Sequence, residues 1–124
     1  AVIVDVHGEA TSEKMALGHI ADGRATLLVG THTHIPTADA FILNAGTAYQ
    51  TDAGMCGDYD SVIGMGKEAS IGNFLRKLPR ERMKPADGEG TFCGVFVESD
   101  SATGLAARVS PVRCGGRLAE QIPD

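Results

Sequence analysis

The apolar positions of the chain fall into short runs with different periods. Residues 1–6 form an apolar, β-branched run, which predicts a strand buried on both faces, as in parallel sheets. His7-Gly8-Glu9 follows as a loop. Thr11 and Ser12 are N-cap candidates, and Glu13 suits the helix dipole. Residues 13–20 carry Met15, Ala16 and Ile20 at near-helical spacing, and Asp22-Gly23 stops that helix. Residues 25–29 predict a second buried strand, leading into Gly30-Thr31-His32-Thr33-His34. Strand, helix and strand make a βαβ unit. Ligands of such sheets sit beyond the carboxyl ends of the strands.

Beyond residue 40 the pattern changes to hairpins. Residues 41–43 and 47–51 flank the turn Asn44-Ala45-Gly46. Residues 52–60 are a Gly-rich loop, and residues 61–65 suit either a strand or a helix start. Residues 67–78 predict a helix with Ile71, Phe74, Leu75 and Leu78 on one face, ended by Pro79. Residues 91–98 and 105–112 alternate around Asp100-Ser101-Ala102-Thr103-Gly104, a second hairpin. From Gly115 the chain reads as a loose tail. The expected class is α/β, with parallel strands and helices followed by antiparallel hairpins.

Composition narrows the function. The 124 residues match the length of one domain, and 43% hydrophobic with 22% charged residues is a globular balance. With six aromatics and no Trp, the core must be aliphatic. Eleven basic against 16 acidic residues disfavours a duplex DNA binder held by phosphate contacts. No apolar run approaches the ~20 residues of a membrane span. The opening run is too short, and lacks the basic lead, for a signal peptide. Cys56, Cys93 and Cys114 are widely spaced with no C-x-x-C, which suits free thiols in the cytoplasm. The chain opens at Ala1 directly inside a predicted strand, so this edge reads as a cut.

The chemistry concentrates in histidines. His7 and the pair His32, His34 lie at the carboxyl ends of the two predicted strands. Residues i and i+2 of an extended chain point the same way, so His-x-His can aim two imidazoles into one pocket. Imidazole is a common ligand of zinc, iron, nickel and copper. His19, inside the predicted helix, reads as a residue without chemistry.

Longer motifs then carry a resemblance. Val4-Asp5-Val6-His7-Gly8-Glu9-Ala10-Thr11-Ser12-Glu13-Lys14, Asp22-Gly23-Arg24 and Val29-Gly30-Thr31-His32-Thr33-His34 resemble, in order, segments of the YmdB-like metallophosphoesterases. Gly46-Thr47-Ala48-Tyr49, Thr51-Asp52, Gly54-Met55 and Asp60-Ser61-Val62-Ile63-Gly64-Met65 are similar to further segments of that family. The agreement covers about residues 1–80 and weakens through the terminal hairpin. Departures are Val6 where Phe is usual, Gly8 where Ala is usual, and Cys56 where Thr is common; none touches a histidine.

The resemblance implies a two-metal phosphodiesterase acting on 2′,3′-cyclic nucleotides, with iron or manganese as the usual metals. It implies that His7 and His32 bind one metal and His34 the other. Two metals can clamp a phosphate, stabilise its developing charge and acidify water. The resemblance covers only the carboxyl-terminal half of the family's length, residues 1–124 here. The bridging carboxylate, the Asn ligands and the catalytic His of the family belong to the other half. The only asparagines, Asn44 and Asn73, do not stand in for those ligands. This chain alone is therefore expected to hold at most one metal weakly, to lack catalytic residues and to be inactive. The fold implied is half of an α/β sandwich. Its face toward the absent amino-terminal half would be exposed and apolar, inviting homo-oligomers or strand exchange.

Other residues carry weaker expectations. Asp5 faces the same way as His7 and suits a structural role or a hydrogen bond to an imidazole. Glu9 suits either orienting an imidazole or capping the following helix. Arg76, Lys77, Arg80, Arg82 and Lys84 read as a solvated basic cluster, and residues 54–57 as a lid or a plain connection. A regulatory or binding module that retains this fold without catalysis is the alternative function. An amidohydrolase barrel would need ~250 residues and is set aside.

Overall fold

A computed structural model describes residues 1–76 and 81–124. Its elements in chain order are β1 (Ile3–His7), α1 (Thr11–Ala21), β2 (Leu27–Thr31), β3 (Phe41–Ile42), β4 (Ala48–Gln50), β5 (Gly57–Asp58), α2 (Lys67–Leu75), β6 (Gly90–Ser99) and β7 (Ala106–Cys114). The first sheet has the order β1-β2-β4-β3. In it β1 and β4 run parallel to β2, and β3 returns antiparallel to β4. The second sheet, β5-β6-β7, is antiparallel. The α/β class, the βαβ unit and both hairpins stand as the residue pattern predicts.

A small core explains why these pieces hold together. Leu28, Leu43 and Tyr49 are buried against each other, with Val4, Val6 and Ala21 packed on them. Asp22, just past α1, accepts the Ala45 and Thr47 amides at 2.9 and 3.2 Å, fastening the β3–β4 turn to the helix end. Thr26 donates to the Gly104 carbonyl at 2.6 Å, joining the β6–β7 turn to the first sheet.

Several expected faces are different. β1 is not buried on both sides: among the described residues it is an edge strand paired only with β2, and Ile3 is 69% exposed. Neither Thr11 nor Ser12 caps α1; the N-cap position is Ala10, with no side-chain bond. Of the apolar positions on α1, Met15 and Ile20 are exposed, while Lys14 and Gly18 are buried. The helix turns its narrowest stripe to the sheet because Gly18 lets the Tyr49 ring approach where a Cβ would meet it at 2.7 Å. α2 ends at Leu75, and its Ile71, Phe74 and Leu75 face solvent. Leu78, Pro79, Lys77 and Arg80 lie outside the described residues. The tail is pinned rather than loose: Gln121 pairs with Arg113 through both amides, at 2.8 and 2.9 Å.

Residues 61–65 form a tight turn. Val62 and Met65 exchange amide hydrogen bonds at 2.8 and 2.9 Å, with Ile63 and Gly64 at φ 49° and 91°. Both central residues at positive φ match the mirror-image turn that hairpins favour. A β-branched residue there is strained, at about 1–3 kcal/mol.

Candidate metal centre

His7 is the last residue of β1 and sits opposite Thr31, the last residue of β2. Both therefore lie at the carboxyl end of a parallel pair, where α/β sheets place ligands. Thr31 Oγ1 donates to Asp5 Oδ1 at 3.2 Å, and His7 Nδ1 lies 3.1 Å from the same hydroxyl. A carboxylate only accepts, so the hydroxyl proton points to Asp5 and its oxygen accepts from His7 Nδ1–H. That leaves the lone pair of His7 on Nε2. Asp5 thus acts on the imidazole through Thr31.

His7 Nε2 lies 3.3 Å from His32 Nδ1, with the rings nearly perpendicular at 83°. Two nitrogens that share one metal at ~2.1 Å, with angles of ~90–109°, sit about 3.0–3.4 Å apart. The contact is an imidazole–imidazole hydrogen bond, and its length is also that of two nitrogens on one metal ion. Among the described residues no third His, Cys, Asp or Glu joins it.

His34 goes elsewhere. Its Nδ1 donates to the Ile63 carbonyl at 2.8 Å, which leaves Nε2 free. His32 and His34 do not point the same way from an extended strand, as their spacing predicts. Strand β2 ends at Thr31, and the two histidines have φ of 114° and 68°. With left-handed backbone at both positions, the His32 ring meets His7 and the His34 ring meets the Ile63 carbonyl. Glu9 is exposed, and no side-chain bond caps α1.

Lys14, Asp52 and Tyr59, to which the residue pattern assigns no role, hold this loop. Lys14 Nζ donates to the Thr31 carbonyl at 2.7 Å and reaches Asp52 Oδ2 at 3.2 Å, with both side chains buried. Asp52 Oδ2 accepts the Thr33 amide and Oδ1 the Gly54 amide, each at 2.9 Å. Burial pushes the Asp52 carboxyl up, but those amides, the Thr33 hydroxyl and Lys14 outweigh it and hold it below the usual carboxylate range. Gly30 makes room: a Cβ there would lie 1.8 Å from the Thr51 carbonyl and 2.8 Å from Lys14 Cδ. Tyr59 donates to the His34 carbonyl at 2.9 Å and accepts from the Met55 amide at 3.1 Å. Burial, and next the Cys93 thiol 3.4 Å away, push the Tyr59 hydroxyl upward. The available signal was a lysine four residues before a glycine on α1, and an aspartate directly after a buried strand.

Comparison with known proteins decides the family. A family model described as YmdB-like protein matches residues 1–112. The chain belongs to the YmdB-like family. This YmdB-like chain is similar to the 2′,3′-cyclic-nucleotide 2′-phosphodiesterase of Bacillus subtilis (strain 168), at 48% identity over 90% of the chain and 42% of that protein. It is 43% identical to a putative phosphatase/phosphodiesterase of Mycoplasma pneumoniae, over 90% of the chain and 40% of that protein. Among solved structures it is similar to a hypothetical protein from Thermus thermophilus, with a TM-score of 0.85 and 44% identity, covering 94% of the chain and 45% of that protein. A novel phosphatase from Mycoplasma pneumoniae matches with a TM-score of 0.84 at 42% identity, over 90% of the chain and 40% of that protein. The YmdB-like chain thus spans less than half the length of the relatives it matches. Among its described residues no helix is long and apolar enough to cross a membrane.

Proposed function

We propose that residues 1–124 are the histidine-bearing, carboxyl-terminal part of a metal-dependent phosphodiesterase that hydrolyses 2′,3′-cyclic nucleotides in the cytoplasm. The observation that carries this reading is the 3.3 Å approach of His7 Nε2 and His32 Nδ1 at the carboxyl end of β1 and β2. His7 and His32 would hold one divalent ion, and His34, through its free Nε2, a second. When bound, iron or manganese would neutralise charge on the phosphate and acidify water.

The chain's own residues orient the donors. His7 keeps its proton on Nδ1 through Thr31 and Asp5, and His34 keeps its proton on Nδ1 through Ile63. The remaining ligands and the catalytic acid would come from the part of the relatives' length that this chain does not span. An apolar groove of about 380 Å³ between β1 and α1, lined by Val4, Val6, Leu17, Ile20 and Leu28, is the surface that such a part would cover. A second copy of the chain would compete for the same face.

The test compares hydrolysis of a 2′,3′-cyclic nucleotide, with added Mn²⁺, by this chain alone and by the chain combined with the remaining part. The expected result is no turnover alone and turnover when combined. Turnover by the chain alone would overturn the incompleteness. A combined protein that purifies free of metal and stays inactive would favour the non-catalytic module.

A further inference from the structure

We infer that the buried Lys14–Asp52 pair is a positioning device for His32, an inference that rests on the metal reading of the histidines above. His32 has φ 114°, a backbone conformation that a non-glycine residue keeps only when its surroundings over-determine it. The flanking backbone groups are gripped from both sides. Lys14 Nζ takes the Thr31 carbonyl at 2.7 Å, before the kink. Asp52 Oδ2 takes the Thr33 amide at 2.9 Å, after it. The two side chains join each other at 3.2 Å, closing a circuit around His32.

The two side chains are sheltered from water, with exposures of 0% and 1%. A buried ion pair is often no more stable than an apolar pair of the same size, so stability alone does not account for it. What an apolar pair would not supply is a donor for Thr31 and an acceptor for Thr33. Lys14 comes from α1, and Asp52 follows β4, so the circuit ties the kink to two separate elements. Its product is the aim of the His32 ring at His7. Lys14 and Asp52 touch neither imidazole, so they act through the backbone.

The experiment is a Zn²⁺ titration of the 124-residue chain by calorimetry, with amide exchange and ring–ring contacts followed by NMR. The double variant Lys14→Met/Asp52→Leu removes both charges, and with them the donor to Thr31 and the acceptor for Thr33, at similar volume. The wild type is expected to bind Zn²⁺, and His32→Ala to lose it. The double variant is expected to stay folded, to bind at least about 10-fold more weakly and to exchange the Thr33 amide at least about 10-fold faster. A folded double variant with wild-type Zn²⁺ affinity and wild-type Thr33 exchange would overturn the inference. If the wild type does not bind Zn²⁺, or His32→Ala binds equally well, the metal reading fails instead. The positioning claim is then decided by the His7–His32 ring contact, which the double variant should lose and which, if kept, overturns it. Should the double variant not fold, the wild type still answers: Zn²⁺ should slow exchange of the Thr33 amide by reciprocal coupling, and an unchanged rate counts against the inference.

Discussion

Gly18→Ala sets two effects of known size against each other. Inside a helix, alanine is favoured over glycine by about 1 kcal/mol. Overpacking a well-filled core costs about 1–3 kcal/mol. The new Cβ would lie 2.7 Å from Tyr49 Cδ2 and 2.9 Å from Cε2, where ordinary contact begins at 3.4 Å. The ring cannot easily give way. Tyr49 is 1% exposed, its hydroxyl is bound to Thr51 Oγ1 at 3.0 Å, and Phe41 stands edge-on at 5.7 Å. With the ring held, overpacking takes the upper part of its range, about 2–3 kcal/mol, and the net loss is about 1–2 kcal/mol. In urea unfolding followed by circular dichroism, the midpoint should fall by on the order of 1 M at unchanged slope. Gly8→Ala is the matched control. Its Cβ meets nothing within 4 Å, so stability should hold or rise by up to about 1 kcal/mol. A Gly18→Ala midpoint equal to or above wild type would refute the packing of α1 on Tyr49.

Other consequences are open to measurement. Asp39 is also held low: burial pushes it up, but the hydroxyls of Thr37 and Thr51 and the Thr51 amide outweigh this. Because Asp39 and Asp52 have folded pKa values below the unfolded one, their stabilisation is present above the ordinary carboxylate pKa and is lost as pH falls through and below it. Urea midpoints taken from pH 7 to pH 3 should fall, and less steeply in Asp39→Asn; equal slopes would count against the assignment. Tyr59→Phe removes the hydroxyl that joins the His34 carbonyl to the Met55 amide, and should cost about 1 kcal/mol and shift the His34 imidazole NMR signals. An unmoved His34 would show that this clamp does nothing. Phe74→Gln, at a side chain 91% exposed, should change stability by no more than about 0.5 kcal/mol, and a larger loss in thermal unfolding would mean that α2 packs on something.

The order of strands and helices was legible because periods of two and near four show directly in the residues. Which face is buried was not. Ile20 and Phe74 are apolar, and apolarity says that a face is better off covered without saying that this chain covers it. Lys14 shows the converse. A lysine is almost never fully buried unless paired, and its partner Asp52 lies 38 residues away, beyond the reach of any local pattern. The histidines were legible as a set, and the family resemblance pairs His7 with His32, but residue spacing alone pairs His32 with His34. Spacing assumed an extended chain, whereas positive φ at His32 and His34 turns one ring to His7 and the other to Ile63. Such backbone kinks are fixed by distant contacts, here Lys14, Asp52 and Tyr59, and carry no periodic signature.

The most direct measurement is kcat/KM for a 2′,3′-cyclic nucleotide, with Mn²⁺, on the chain combined with the part of its relatives' length that it does not span, in wild type and in His7→Ala, His32→Ala and His34→Ala. Each substitution should lower kcat/KM by about 10²-fold or more, while His19→Ala leaves it unchanged. Full activity in any of the three histidine variants would contradict the place given to that residue, and full activity in all three would contradict the metal centre itself.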